Sequence, residues 1–103
     1  MNSFSGTVIF MAPEILDGKK YRNGCDLYSI GATIYYLYFG KYPFFAENRM
    51  ALLNMITNEN LNFKIEEDKE LEDLLKKLLK ENPNERINWK DYFEHAFFKQ
   101  YEY

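Results

Sequence analysis

Gly24-Cys25-Asp26-Leu27-Tyr28-Ser29-Ile30-Gly31-Ala32-Thr33-Ile34-Tyr35-Tyr36-Leu37-Tyr38-Phe39 is the stretch that decides how this chain folds. No charged residue follows Asp26 until Lys41. Leu27, Ile30, Ile34 and Leu37 form one helical stripe, and Tyr28, Ala32, Tyr35 and Tyr36 spread apolar or aromatic surface over the others. A helix apolar all round belongs inside a protein or a membrane. A membrane span needs roughly 20 such residues, and this run stops at Gly40. It therefore reads as a buried central helix with other elements packed around it. Asp26, at its start, reads as a buried acid whose carboxylate accepts backbone N–H groups.

Working outward, Gly40 is placed to cap the helix, and Pro43 prevents its continuation. Upstream, Pro13 at a first helical position predicts a short helical turn over Ala12–Leu16, ended by Asp17-Gly18. Residues 1–11 read as a loop. Downstream, a helix is predicted over Asn48–Thr57, with Leu52, Met55 and Ile56 on one face. Leu61, Phe63 and Ile65 alternate and are expected to lie extended over the core. Leu71, Leu74, Leu75, Leu78 and Leu79 mark the clearest helix, residues 69–80, with Asp68 as its cap and Glu72/Lys76 and Asp73/Lys77 as i,i+4 pairs. A last helix is predicted over 89–98, capped by Asn88, with Trp89, Tyr92, Phe93, Ala96 and Phe97 facing inward. Residues 100–103 read as a loose tail. No segment reads as a strand, so the fold class is all-α.

The length of 103 residues suits one small domain. Such a domain buries only roughly 65% of its unfolded surface. Nine Tyr, nine Phe and one Trp suit a core larger than this chain can build alone. The net charge of −3 offers no basic footprint for nucleic acid or acidic lipid. Cys25 is the only cysteine and His95 the only histidine, which excludes a disulfide framework or a Cys/His zinc site within one chain. Cys25 reads as a small core residue rather than a reactive thiol. With no signal peptide apparent, a cytoplasmic or nuclear compartment is the expectation.

Several short motifs together resemble the C-terminal part of the protein kinase family. Gly6-Thr7 followed by Met11-Ala12-Pro13-Glu14 is similar to the end of the activation segment, with its closing Ala-Pro-Glu. Asp26-Leu27-Tyr28-Ser29-Ile30-Gly31 resembles the start of the family's central helix, where Trp is usual at Tyr28. Gly40-Lys41-Tyr42-Pro43-Phe44 resembles the turn that follows. Asn82-Pro83-Asn84-Glu85-Arg86-Ile87 resembles the segment that carries the late arginine. His95-Ala96-Phe97-Phe98 resembles the final helix, where Pro is more usual at Ala96. The resemblance covers residues 3–99 and is of the Ser/Thr rather than the Tyr type.

The resemblance implies one partial kinase domain, residues 1–103: a helical C-lobe around the central helix, with an irregular activation-segment loop in front. Residues 1–14 would be the end of that segment and the substrate-docking loop, 15–99 the helical subdomain and 100–103 the tail. Gly6, Thr7, Val8, Ile9 and Phe10 would receive the substrate residue after the phosphorylated one. Thr7 would also bond the catalytic Asp and Lys. Glu14 and Arg86 would form a buried ion pair, for which a planar guanidinium is suited. Asp26 would anchor the catalytic loop, cap its own helix, or both. Ser3 aligns roughly with the activation-loop phosphosite, although the arginine that would pair with it lies upstream in the family.

Phosphoryl transfer also needs a Gly-rich loop, the Val-Ala-Ile-Lys lysine, His-Arg-Asp and Asp-Phe-Gly. None of these stands in this sequence. The expectation is a fragment of a Ser/Thr protein kinase that supplies the docking and helical part and is inactive alone. The full-length family member would use ATP and Mg; this chain alone should bind neither, and no residue here is assigned to catalysis or metal. Expected partners are a protein substrate and either the rest of the kinase domain or another protein covering the apolar faces, with no nucleic acid and no membrane. Purified alone, the chain is expected to be partly unfolded or aggregated. The alternatives are a noncatalytic helical interaction module and a pseudokinase remnant.

Overall fold

The computed structural model describes residues 8–19 and 23–100. A 3-10 turn, Val8–Phe10, leads into α1 (Pro13–Leu16), α2 (Asn23–Phe39), α3 (Arg49–Asn58), α4 (Lys69–Leu78), α5 (Trp89–Phe93) and α6 (Ala96–Lys99). No strand occurs among the described residues. The expected all-α class therefore holds. Of the tail expected over 100–103, residues 101–103 lie outside the described residues.

Local chemistry explains the boundaries. The side chains of Asn48, Asp68 and Asn88 accept hydrogen bonds from the amides of Ala51, Leu71 and Asp91, at 2.8, 3.0 and 2.8 Å. Each satisfies one otherwise unpaired N–H at a helix start. Gly40, at φ +73°, turns the chain out of α2 while its amide donates to Tyr36 O. Gly18, at φ +79°, closes α1 with paired bonds from Gly18 N to Ile15 O and Lys19 N to Glu14 O. That is the Schellman arrangement.

The core is built around α2. Its Cys25, Tyr28 and Ala32 pack with Ala12. Tyr35 packs with Ile65, Leu71 and Leu75, under the partly buried Leu61 and Phe63 of the extended stretch. Leu27 packs with Leu74 and Leu78. A further cluster joins Ile9 and Leu16 to Ala46, Leu52 and Ile56, so α3 and the front of the chain share apolar contacts. On α4 the expected pairs form, Lys76 to Glu72 and Lys77 to Asp73, both at 2.9 Å.

Three expectations need correction. First, α2 is not enclosed all round. Thr33, Tyr36, Leu37 and Tyr38 are exposed, and Leu37 reaches 75%. Asp26, in the first turn of α2, is exposed as well, so it is not a buried acid. Second, the last helix is two. His95 takes an extended conformation, its Nδ1 accepts from Phe97 N at 3.0 Å, and its Nε2 lies 2.7 Å from Asp73 on α4. This tertiary bond and the new cap restart the chain as α6. Third, the break rotates the inner face: Phe98 joins the Leu27 cluster, while Phe93 is 68% exposed and Ala96 is exposed. No helix among the described residues is long and apolar enough to cross a membrane.

Candidate functional site

Arg86 uses every donor of its side chain. Its Nη1 donates to Glu14 Oε2 at 2.8 Å and to Gly24 O at 2.9 Å. Its Nη2 donates to Glu14 Oε1 at 3.0 Å and to Glu81 O at 3.2 Å, and its Nε to Lys80 O at 3.1 Å. A guanidinium has five N–H donors in a fixed fork, and all are used. The Arg86 side chain is fully buried and that of Glu14 nearly so. Tyr28 lies with its ring 5.3 Å from the guanidinium carbon. Burial pushes the Tyr28 phenol far above its ordinary value against the opposing pull of Arg86, so it stays protonated.

This pair fastens α1 to the helical body, and α1 directly follows the loop whose end is Ile9–Phe10. Ile9 is buried in the α3 cluster. Phe10 is half-buried, its ring edge-on to Tyr36 and Tyr42 at 6.2 and 5.7 Å. Ser29 Oγ on α2 donates to Phe10 O at 2.7 Å. Arg49, at the start of α3, donates from Nε to Leu16 O at 3.1 Å and from Nη2 to Ile15 O at 2.9 Å. Segment 8–16 is thus held from α2, from α3 and from Arg86 in the connection after α4.

The structure brings Glu14 and Arg86 together and seats Ile9 and Phe10 on the body. Val8 contributes backbone to the 3-10 turn. Ser3, Gly6 and Thr7 lie outside the described residues. Asp26 stands one turn from Ser29 on the open side of α2, beside Ile30, Thr33 and Trp89. Sequence reading missed Ser29 and Arg49 as holders of the loop. Ser29 stood inside a quoted motif without a role, and Arg49 looked like any charged residue at a helix start.

No group of three or more His, Cys, Asp or Glu among the described residues is arranged to hold a metal ion.

The family model for the protein kinase domain matches residues 1–98. The chain is 34% identical to the serine/threonine-protein kinase TIO of Arabidopsis thaliana over 97% of its own length and 8% of that protein's. It is 40% identical to the serine/threonine-protein kinase atg1 of Neosartorya fischeri, over 88% of this chain and 10% of that protein. It is 35% identical to ATG1a of Arabidopsis thaliana, over 95% of this chain and 16% of that protein. The chain thus spans between 8% and 16% of the length of these relatives. By motif, fold and family match, the chain belongs to the protein kinase family.

Proposed function

We propose that residues 1–103 are the substrate-docking and helical part of a serine/threonine protein kinase domain. The whole protein would transfer the γ-phosphoryl group of ATP to Ser or Thr of a protein substrate. Within it, Gly6–Phe10 receives the substrate residue that follows the phosphorylated one. Glu14 and Arg86 hold that loop to the helical body, and Asp26 anchors the catalytic loop on the open side of α2. Ser3 is the candidate phosphosite.

The observation that supports this most is the fully bonded Arg86 fork over Glu14. It fixes α1, and with it the loop end Ile9–Phe10, to the helical body. Catalysis by positioning needs such a rigid platform, with ATP, magnesium and the proton-accepting base supplied by other segments. A cytoplasmic or nuclear location goes with this reading.

The test has two parts. Calorimetry of the purified chain with Mg-ATP should show no stoichiometric binding; binding would overturn the division of labour. Sequencing the transcript upstream of the Met1 codon should reveal, in frame, a Gly-rich loop, a lysine strand, His-Arg-Asp and Asp-Phe-Gly. A stop codon directly upstream would favour the second reading, a noncatalytic helical module. The exposed stripe through Leu37 also supports that reading, because a partner could cover it as well as the rest of a kinase domain could.

A further inference from the structure

We propose that Arg49 is a positioning residue for the substrate-receiving segment, a clamp from α3 onto the end of α1. The role of that segment rests on the reading above; the clamp itself rests on geometry alone.

α1 has only four residues, so its last carbonyls have little helix to bond to. The Gly18 turn satisfies Glu14 O through Lys19 N and Ile15 O through Gly18 N. Leu16 O receives Arg49 Nε, and Ile15 O receives Arg49 Nη2 as a second donor. One planar guanidinium thus spans two successive carbonyls from 33 and 34 positions away. A positive charge at a helix C-terminus is also favourable in itself.

The clamp matters because it adds directional bonds to the apolar contact between α1 and α3. Beneath it, Leu16 and Ile9 share one cluster with Leu52 and Ile56 of α3. Apolar contact resists separation but is non-directional. The two hydrogen bonds fix how α1 is rotated on α3. Arg86 fixes the side chain of Glu14, and Ser29 fixes the carbonyl of Phe10. Rotation of α1 about the line between those two points is what Arg49 removes.

Arg49→Ala and Arg49→Lys test the clamp. Amide hydrogen exchange is followed peptide by peptide in the complete kinase domain that carries this chain, with peptides from 69–88 as the internal reference. In R49A, exchange across 8–19 should rise about tenfold, the size of one lost hydrogen bond to a charged group, while 69–88 is unmoved. R49K should recover part of the protection, since it keeps the charge but not the fork. Unchanged exchange across 8–19, or an equal rise across 69–88, would overturn the proposal, the latter by showing general destabilisation only. In the complete kinase domain carrying this segment, R49A should raise the KM for a peptide substrate and leave that for ATP unchanged. A local exchange effect with an unmoved peptide KM would leave the clamp standing and count against the substrate-receiving reading instead.

Discussion

A Cβ placed on Gly31 of α2 would lie 2.7 Å from the Cβ of Leu78 on α4. Leu79 Cγ and Cδ2 would follow at 3.2 Å each. A Cβ cannot swing aside as a flexible side-chain tip can, so the two helices would have to part. Ala gains about 1 kcal/mol over Gly in a helix interior, whereas overpacking costs about 1–3 kcal/mol. Gly31→Ala is therefore expected to destabilise the chain by up to about 2 kcal/mol in a urea melt. A variant stabilised by the full gain of about 1 kcal/mol would show that α2 and α4 separate freely.

Removing one partner of the Glu14–Arg86 pair strands the other charge in a buried site. Glu14→Gln or Arg86→Met should each cost about 3–5 kcal/mol. That is a large share of the total stability of a small domain, about 5–15 kcal/mol. The double variant should lose clearly less than the sum, because no lone charge is left. Additive losses in the double-mutant cycle would show that the two residues act separately.

Glu72 makes stability depend on acid. Its Oε1 accepts from Ile65 N at 2.6 Å, and its Oε2 pairs with Lys76. The Ile65 bond first, then the lysine, hold its carboxyl at about 2, below the ordinary 4.5. Because the folded value lies below the unfolded one, this contribution is complete above about 4.5 and is lost as pH falls towards 2. Glu72→Gln should be less stable than the parent at neutral pH and lose less on acidification from 5 to 2.5. Parallel pH curves for the two proteins would remove Glu72 from the account.

Two exposed apolar side chains give a solution prediction. Leu37 is 75% exposed and Phe93 68%. The purified chain should bind a hydrophobic dye and associate at micromolar concentration. Leu37→Lys should lower both effects. A monomer indifferent to the dye would show that this surface is covered in solution.

Much of this was legible in the sequence because it is local. Leu71 to Leu79 repeat at helical spacing, Asn48, Asp68 and Asn88 announce helix starts, and Gly40 announces an end. The Glu14–Arg86 pair was reachable only through the resemblance, since nothing in the spacing of two charges tells that they meet. What escaped depended on distant partners. Trp89 to Phe98 has the pattern of one helix, and the Asp73–His95 bond together with the His95 cap divides it. The exposure of Asp26 could not be read from a stretch that is apolar on every face. Ser29 and Arg49 act on backbone carbonyls, which leave no mark on side-chain identity.

The Glu14–Arg86 bond joins positions 72 apart in a chain of 103. Closing so long a loop costs entropy before any contact rewards it, whereas α4 and its caps can form from neighbours alone. The pair is thus expected to close late in folding, after the transition state. Losing it should show in stopped-flow kinetics as faster unfolding with a nearly unchanged folding rate. The bond that binds the front loop to the body would then act chiefly as a latch on lifetime: it governs how long the assembled state persists rather than how quickly it is reached.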